Sequence, residues 1–372
     1  MFSVDLVSDN AAFASLDSEW NDAVDRAGIV HPFLRHEWVS AWWDAFGGGG
    51  REELHLIVVR DATRAICAIA PLMSDRWPMY GVPVRRLRLL QNDHTPRTGV
   101  IVAAHAEDSY RAIWHALHDG RKRWDVLQLS QLPDSSETRA HFMRLAAEEG
   151  IHTGIWESGA SPYLRLDSSW TAYVEDLDSK FKRNLRNRLS HASKLGELRL
   201  EVVDEPSMLR ASFADVQRLE DSGWKASEGT AIASDSRVRS FYSLVTERAA
   251  NAGWLRMLFL EVGGRRVAAA YAALYANRLF LIKTGYDPSF AKCAPFKLLT
   301  SFAVRYAYEH GIDEIDFLGD VEPWKLEWTS TARRHDWLFV FAATARGRLL
   351  HPVKFQLVPA VRQLCSSQTS RA

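Results

Sequence analysis

Tyr286 and Asp287 stand together where a strand-like run gives way to a loop, shortly before Pro295 opens a helical pattern. A carboxylate in that position can take a proton directly or through water, as a general base does. It can equally close an Asx turn on the backbone two residues on. Tyr286 carries a phenol able to protonate a leaving group, although tyrosine is also ordinary strand packing. Asp316 sits in the apolar run IDEIDFLG, where a carboxylate must find a partner or shift its pKa. It is a site candidate, or a structural acceptor for Trp224 or Lys325. Lys325, between Trp324 and Trp328, can hold an anionic group, or lie on the surface with its stem along an indole. Trp224 and Lys225 follow a helix that ends near Gly223, in a loop expected to line a cleft. Asp93 and His94 follow an earlier strand as Tyr286 and Asp287 follow theirs; they read as an acid–base pair or as a turn before Pro96. Cys293 has no base near it in sequence and reads as a small residue before a helix.

The elements that must position these groups run from Leu255 to Asp320. Leu255–Val262 is an apolar strand closed by Gly263-Gly264, a tight hairpin pair. Residues 266–275 return, Ala276-Asn277 turns, and Arg278–Tyr286 runs out again. After the loop at 287–294, Pro295 suits the first helical position. Phe296, Leu299, Phe302, Ala303 and Tyr306 then share one face, Gly311 ends the helix, and residues 312–318 read as a strand. A meander, a helix and a returning strand leave few topologies open.

The same order occurs earlier. Helical patterns at 9–27 and 36–46 precede strands at 54–60, 65–73 and 85–91, a short extended piece at 99–103, a helix around 109–120 and a strand at 125–130. Helices at 207–221 and 237–251 precede the later strands in the same way. An αα-βββ-αβ order that appears twice implies duplication. The expected fold class is therefore α/β, with two tandem modules, each a mixed twisted sheet flanked by helices. The divisions are 1–165, a basic connecting helix at 166–200, and 201–372.

The bounds agree with a two-domain globular chain: 372 residues, 47% hydrophobic and 25% charged. Lys and Arg total 46 and Asp and Glu total 46, so no global charge draws the chain to nucleic acid or membrane. Three dispersed cysteines, Cys67, Cys293 and Cys365, suggest neither a zinc site nor a disulfide framework. No signal-peptide pattern or run of about 20 apolar residues appears, and a cytoplasmic protein is expected. Fourteen tryptophans suit a core and a ligand cleft alike. The one strongly basic stretch, KFKRNLRNRLSHASK, sets Lys180, Lys182, Arg183, Arg186, Arg188 and Lys194 against an apolar stripe. It reads as a solvated helix face, or as a surface for phosphate on a cofactor, a lipid headgroup or a nucleic acid.

KFKRNLRNRLSHASKLG, Glu220 to Lys225, Gly229 to Ile232, Lys283 to Asp287, Ile315 to Gly319 and Trp324 to Trp328 together carry a resemblance. In order and spacing the chain resembles GNAT-superfamily acyltransferases of the CelD/BcsL type, relatives of the Fem peptidyltransferases with tandem GNAT modules. The resemblance covers the second half in residues and the first half in element order. It implies N-acyl transfer from an acyl thioester, acyl-CoA or acetyl-CoA as co-substrate, to an amine of a cell-envelope precursor such as a sugar, amino acid or sphingoid-type lipid. It further implies a small-molecule or lipid-linked acceptor, no metal, and possible peripheral contact with the inner face of the membrane.

In such a reaction, strand backbone N–H groups polarise the thioester oxygen, between strands that splay near Tyr286. The diphosphate lies on a helix N-terminus, here the N–H groups of Phe296, Lys297 and Leu298, with charge from Lys292 and Lys297. Ala294-Pro295-Phe296 replaces the Ser-Pro-Gly usual in relatives, and the lost glycine hinders close approach of a phosphate. Tandem modules place the acceptor site between the copies, which brings Asp93 and His94 toward the second module. A Fem-like ligase using aminoacyl-tRNA, gripped by the basic helix, and a non-catalytic envelope-assembly protein with a decayed site are the alternatives. The C-terminal segment HPVKFQLVPAVRQL is amphipathic enough to dock on the second module or touch a membrane.

Overall fold

The computed structural model describes residues 2–119, 124–222, 232 and 235–358. The first half runs β1 (Ser3–Val7), α1 (Asn10–Ala14), α2 (Asp17–Arg26), α3 (His36–Phe46), β2 (Glu53–Arg60), β3 (Ile66–Met79), β4 (Val82–Leu89), β5 (Ile101–Val102), α4 (Ala106–Asp119), β6 (Val126–Pro133), α5 (Glu137–Glu148) and β7 (His152–Arg165). Then come α6 (Trp170–Asp176), α7 (Ser179–Ser193), β8 (Leu198–Val203), α8 (Pro206–Asp221), α9 (Ser236–Asn251), β9 (Leu255–Val262), β10 (Arg265–Tyr275), β11 (Arg278–Tyr286), α10 (Pro295–Glu309), β12 (Glu314–Asp316), α11 (Pro323–Leu326), β13 (Ala332–Phe341) and α12 (Ala345–Pro352).

The expected repeat is present in strand order. β1-β2-β3-β4-β6 and β8-β9-β10-β11-β12 follow the same path, antiparallel at the first three joints and parallel at the last. The two halves then exchange strands. β7, which follows the first half, pairs with β12 of the second; β13, which follows the second, pairs with β6 of the first. β7 and β13 also pair with each other, closing one thirteen-stranded mixed sheet. Helices flank this sheet, so the architecture is the mixed α/β fold of tandem modules.

A shared core backs the sheet. Trp38 of α3 meets Phe241 of α9 edge-on with ring centres 5.1 Å apart, and Phe33 meets Phe280 of β11 at 5.6 Å. Trp20, Trp38, Trp42 and Trp114 are fully buried, so much of the tryptophan is core.

Three local readings change. The helix expected over 9–27 breaks in two at Ser15 and Leu16; Asp9 caps the first piece by accepting the Ala12 N–H at 2.8 Å. The strand expected over 312–318 is only Glu314–Asp316. Leu318 and Gly319 turn the chain away with φ of 52° and 57°. The described part of the C-terminal segment docks on the exchanged strands rather than on the second module alone. Phe355 fills the space beside Gly154 of β7, where an added Cβ would lie 2.2 Å from its ring. β1, α5, β7, β8 and β13 have no counterpart in the sequence reading.

Candidate active site

β11 and β12 pair at three positions, ending at Phe280 and Asp316, and then part. β11 continues beside β10 to Tyr286, with a bulge that leaves Ile282 without a ladder partner on β10. Bulges re-aim side chains and end pairing next to active sites. β12 stops because the Asp316 carboxylate accepts the Leu318 N–H at 3.0 Å and the next residues turn left-handed. The backbone of residues 281–286 therefore presents an unpaired edge, where alternate residues turn N–H and C=O groups outward.

That edge lines a cavity of about 570 Å³. The first half supplies Asp93, His94, Thr95 and Pro96, the exchanged strands supply residues 158–161 and His335, and Phe317 to Asp320 form the opposite lip. Glu220 and Tyr242 line it from α8 and α9, and Phe296, Trp324 and Lys325 from beside β12. Burial, then the charge of Lys283, pushes the His94 pKa down to about 4, and its Nδ1 lies 3.5 Å from the Tyr242 hydroxyl. Burial, then Arg97, brings His335 to about 4 as well; its Nε2 accepts from Arg97 Nε at 3.3 Å. Both rings are neutral near pH 7. Burial raises the Tyr242 phenol well above its ordinary value, so it too is neutral.

Residues 179–326 match the acetyltransferase (GNAT) domain family. The match begins with α7 and ends in α11, so it contains the splayed strands and excludes both the first half and β13. No curated protein matches the sequence. Among solved structures, FemX superposes with a TM-score of 0.57 at 11% identity, covering 87% of this chain and 95% of that one. A domain described as the C-terminal part of a lysylphosphatidylglycerol synthetase of Agrobacterium fabrum gives 0.53 at 11% identity, covering 92% and 96%. A protein of unknown function from Bacteroides thetaiotaomicron gives 0.51 at 11%, covering 91% and 100%. At these identities the likeness is one of fold.

Within the matched residues 179–326, Tyr286 lines the cavity but Asp287 does not. Asp287, considered as a base, instead closes an Asx turn on Ser289 and pairs with Arg265. The Ser289 hydroxyl on its carboxylate holds its pKa below the ordinary value. Asp316 is completely buried and serves neither of the partners considered from sequence. Its carboxylate takes Arg97 from the first half and Arg333 of β13 at 2.7 Å. Lys325 is not a surface lysine: it is buried, and Nζ reaches the Leu318 and Asp320 carbonyls at 2.8 Å and Glu322 at 2.9 Å. Three acceptors use the three donors of an ammonium, so Lys325 holds the lip instead of a substrate anion.

On the expected phosphate side, the Leu298 N–H donates to the Ala294 carbonyl at 3.2 Å, and its side chain is core, which leaves Phe296 and Lys297 as the N-terminal donors of α10. Lys297 pairs with Glu327 at 2.6 Å. Lys292 is exposed and its carbonyl accepts from Arg188 of α7. The Phe296 ring meets Trp324 edge-on at 4.9 Å, inside the cavity. Trp224 and Lys225 lie outside the described residues. Cys293 is buried.

Asp93 and His94 do join the second half in one cavity. Glu220, Tyr242, Lys283, His335 and Arg97 were not singled out as site residues in the sequence. Glu220 and Lys283 lay inside the motif pieces; Tyr242, His335 and Arg97 reach the site only through the packing of the two halves. Among the described residues, no group of His, Cys, Asp or Glu stands ready to hold a metal, and no helix is long and apolar enough to cross a membrane.

Proposed function

We propose that this protein transfers an acyl group from an acyl thioester, acyl-CoA, to an amine of a cell-envelope precursor. The observation that carries this reading is the open edge of residues 281–286, released from β12 and facing the cavity. A thioester arm fits between the parted strands, and Phe296 and Lys297 N–H, Lys292 and Arg188 stand on the side where its phosphates would lie. Bound there, acyl-CoA supplies an activated acyl carbon and a thiolate leaving group. The edge N–H groups hold the carbonyl oxygen as negative charge develops on it. Neutral His94 accepts a proton from the amine as the N–C bond forms and the nitrogen becomes acidic. Tyr286 carries the proton available to the departing sulfur. In this reading residues 1–165 form the acceptor-side module, 166–200 the connecting segment and 201–372 the acyl-transfer module, acting in the cytoplasm.

A second reading, Fem-like transfer from aminoacyl-tRNA, draws support from α7. Lys180, Arg183, Arg186 and Lys194 are exposed, with no acidic partner among the described residues, and α7 packs against the turn Pro288–Cys293 ahead of α10.

Thermal unfolding with acetyl-CoA tests the first reading, since a ligand of the folded state raises the midpoint. Lys297→Glu, which sets two carboxylates side by side, should abolish the shift with the fold intact. A shift with deacylated tRNA but none with acetyl-CoA, falling steeply with salt, favours the second reading. No binding of either supports a non-catalytic protein, with the Phe296 ring in place of the glycine.

A further inference from the structure

Glu220 closes α8 with its side chain wholly enclosed, yet it lines the cavity. One oxygen, Oε2, accepts the Ile232 N–H at 2.8 Å. The other, Oε1, has no hydrogen bond; Lys283 Nζ stands 3.5 Å away, longer than a good hydrogen bond. The charge of this buried oxygen is thus paired with Lys283, while its hydrogen-bonding capacity is left unused. Its position is set by the backbone. At Gly285 an added Cβ would lie 2.4 Å from the Glu220 Cα and N, so α8 packs on the face of β11 as closely as glycine permits. The neighbouring Tyr242 and His94 are uncharged near neutral pH, so the cation with which an incoming ammonium shares Oε1 is Lys283.

We propose that Glu220 Oε1 is the cavity's ammonium subsite: the acceptor enters as an aliphatic primary amine in its charged form, donates an N–H to Oε1, and releases one proton to solvent before its nitrogen attacks. The assignment rests on the acyl-transfer reading and narrows its acceptor. Charge-assisted hydrogen bonds are about twice as strong as neutral ones, so an alcohol of the same shape binds less well. An arylamine is uncharged in solution, and a quaternary ammonium has no N–H to give.

The test is thermal unfolding of the full chain with n-butylammonium chloride, against n-butanol and tetramethylammonium chloride at matched ionic strength. A saturable shift is expected for butylammonium alone, with apparent affinity at least about tenfold weaker in Glu220→Gln. A shift equal to that of tetramethylammonium, or one unchanged in Glu220→Gln, overturns the proposal. Should Glu220→Gln not fold, wild-type crystals soaked in butylammonium decide: nitrogen within about 3.2 Å of Oε1 supports it, and nitrogen elsewhere or absent overturns it. Acetyl-CoA is titrated in parallel. Acetyl-CoA binding without butylammonium binding sinks the ammonium subsite alone. Glu220-dependent butylammonium binding without acetyl-CoA binding sinks the acyl-transfer reading and leaves the subsite standing.

Discussion

Arg97, from the loop after β4, and Asp316, the last residue of β12, form an ion pair sealed from solvent, with side-chain exposures of 3% and 0%. Arg333 of β13 joins the same carboxylate at 2.7 Å. Three segments distant in sequence therefore converge on the point where β11 and β12 part. Removing one partner of a buried pair leaves the other charge stranded, at a cost of about 3–5 kcal/mol. Asp316→Asn should lower stability by that order in urea unfolding, with folded protein retaining donor binding. A neutral effect on stability would separate this pair from the architecture of the cleft.

Lys325→Met keeps the length of the side chain but strips hydrogen bonds from the Leu318 and Asp320 carbonyls. Each buried acceptor left unpaired costs about 1–3 kcal/mol. The expected result is faster amide hydrogen exchange across residues 318–322. Altered affinity for an anionic acceptor, with exchange unchanged, would restore a direct substrate role.

The two candidate bases separate kinetically if acyl transfer is the reaction. Asp287→Asn preserves the Asx turn and loses a pair whose arginine is 60% exposed, so kcat should stay within its order of magnitude. His94→Ala should lower kcat by roughly 10²–10⁴-fold, the usual worth of general base catalysis. Release of free CoA thiol measures both, and the reverse pattern would return the role to Asp287.

Acid stability carries a sign that can be checked. With a folded pKa near 4 against an ordinary 6.5, His94 binds more protons in the unfolded chain between those values. Stability therefore rises with pH from about 4 to about 6.5 and is lost on acidification through the same window. His335 acts in the same direction. His94→Gln should flatten part of this slope in chemical unfolding measured at pH 4.5, 5.5 and 6.5.

Gly285→Ala should press on the backbone of Glu220 and cost about 1–3 kcal/mol, as overpacking does. Differential unfolding against Gly264→Ala, at a hairpin turn with open space around it, compares close approach with conformational freedom.

Sequence alone determined the local elements and their repetition. Apolar alternation, Gly-Gly and Ala-Asn turns and Pro295 place β9 to β11 and α10, because these signals depend on neighbours a few residues away. The order of the repeat follows from them, whereas the parting of β11 from the strand after α10 was implied only by the family resemblance. The tertiary structure decided what those strands face. The exchange of β7 and β13 depends on edges available only once both halves have folded, and neither strand carries a sequence mark of its partner. For the same reason Asp316 was legible as a buried carboxylate but not as the partner of Arg97. Asp287 and Glu220 show the difference most simply: both are carboxylates in or near motif pieces. A hydrogen-bonding serine two residues away drew Asp287 into a turn, whereas a close approach to Gly285 set Glu220 facing the cavity.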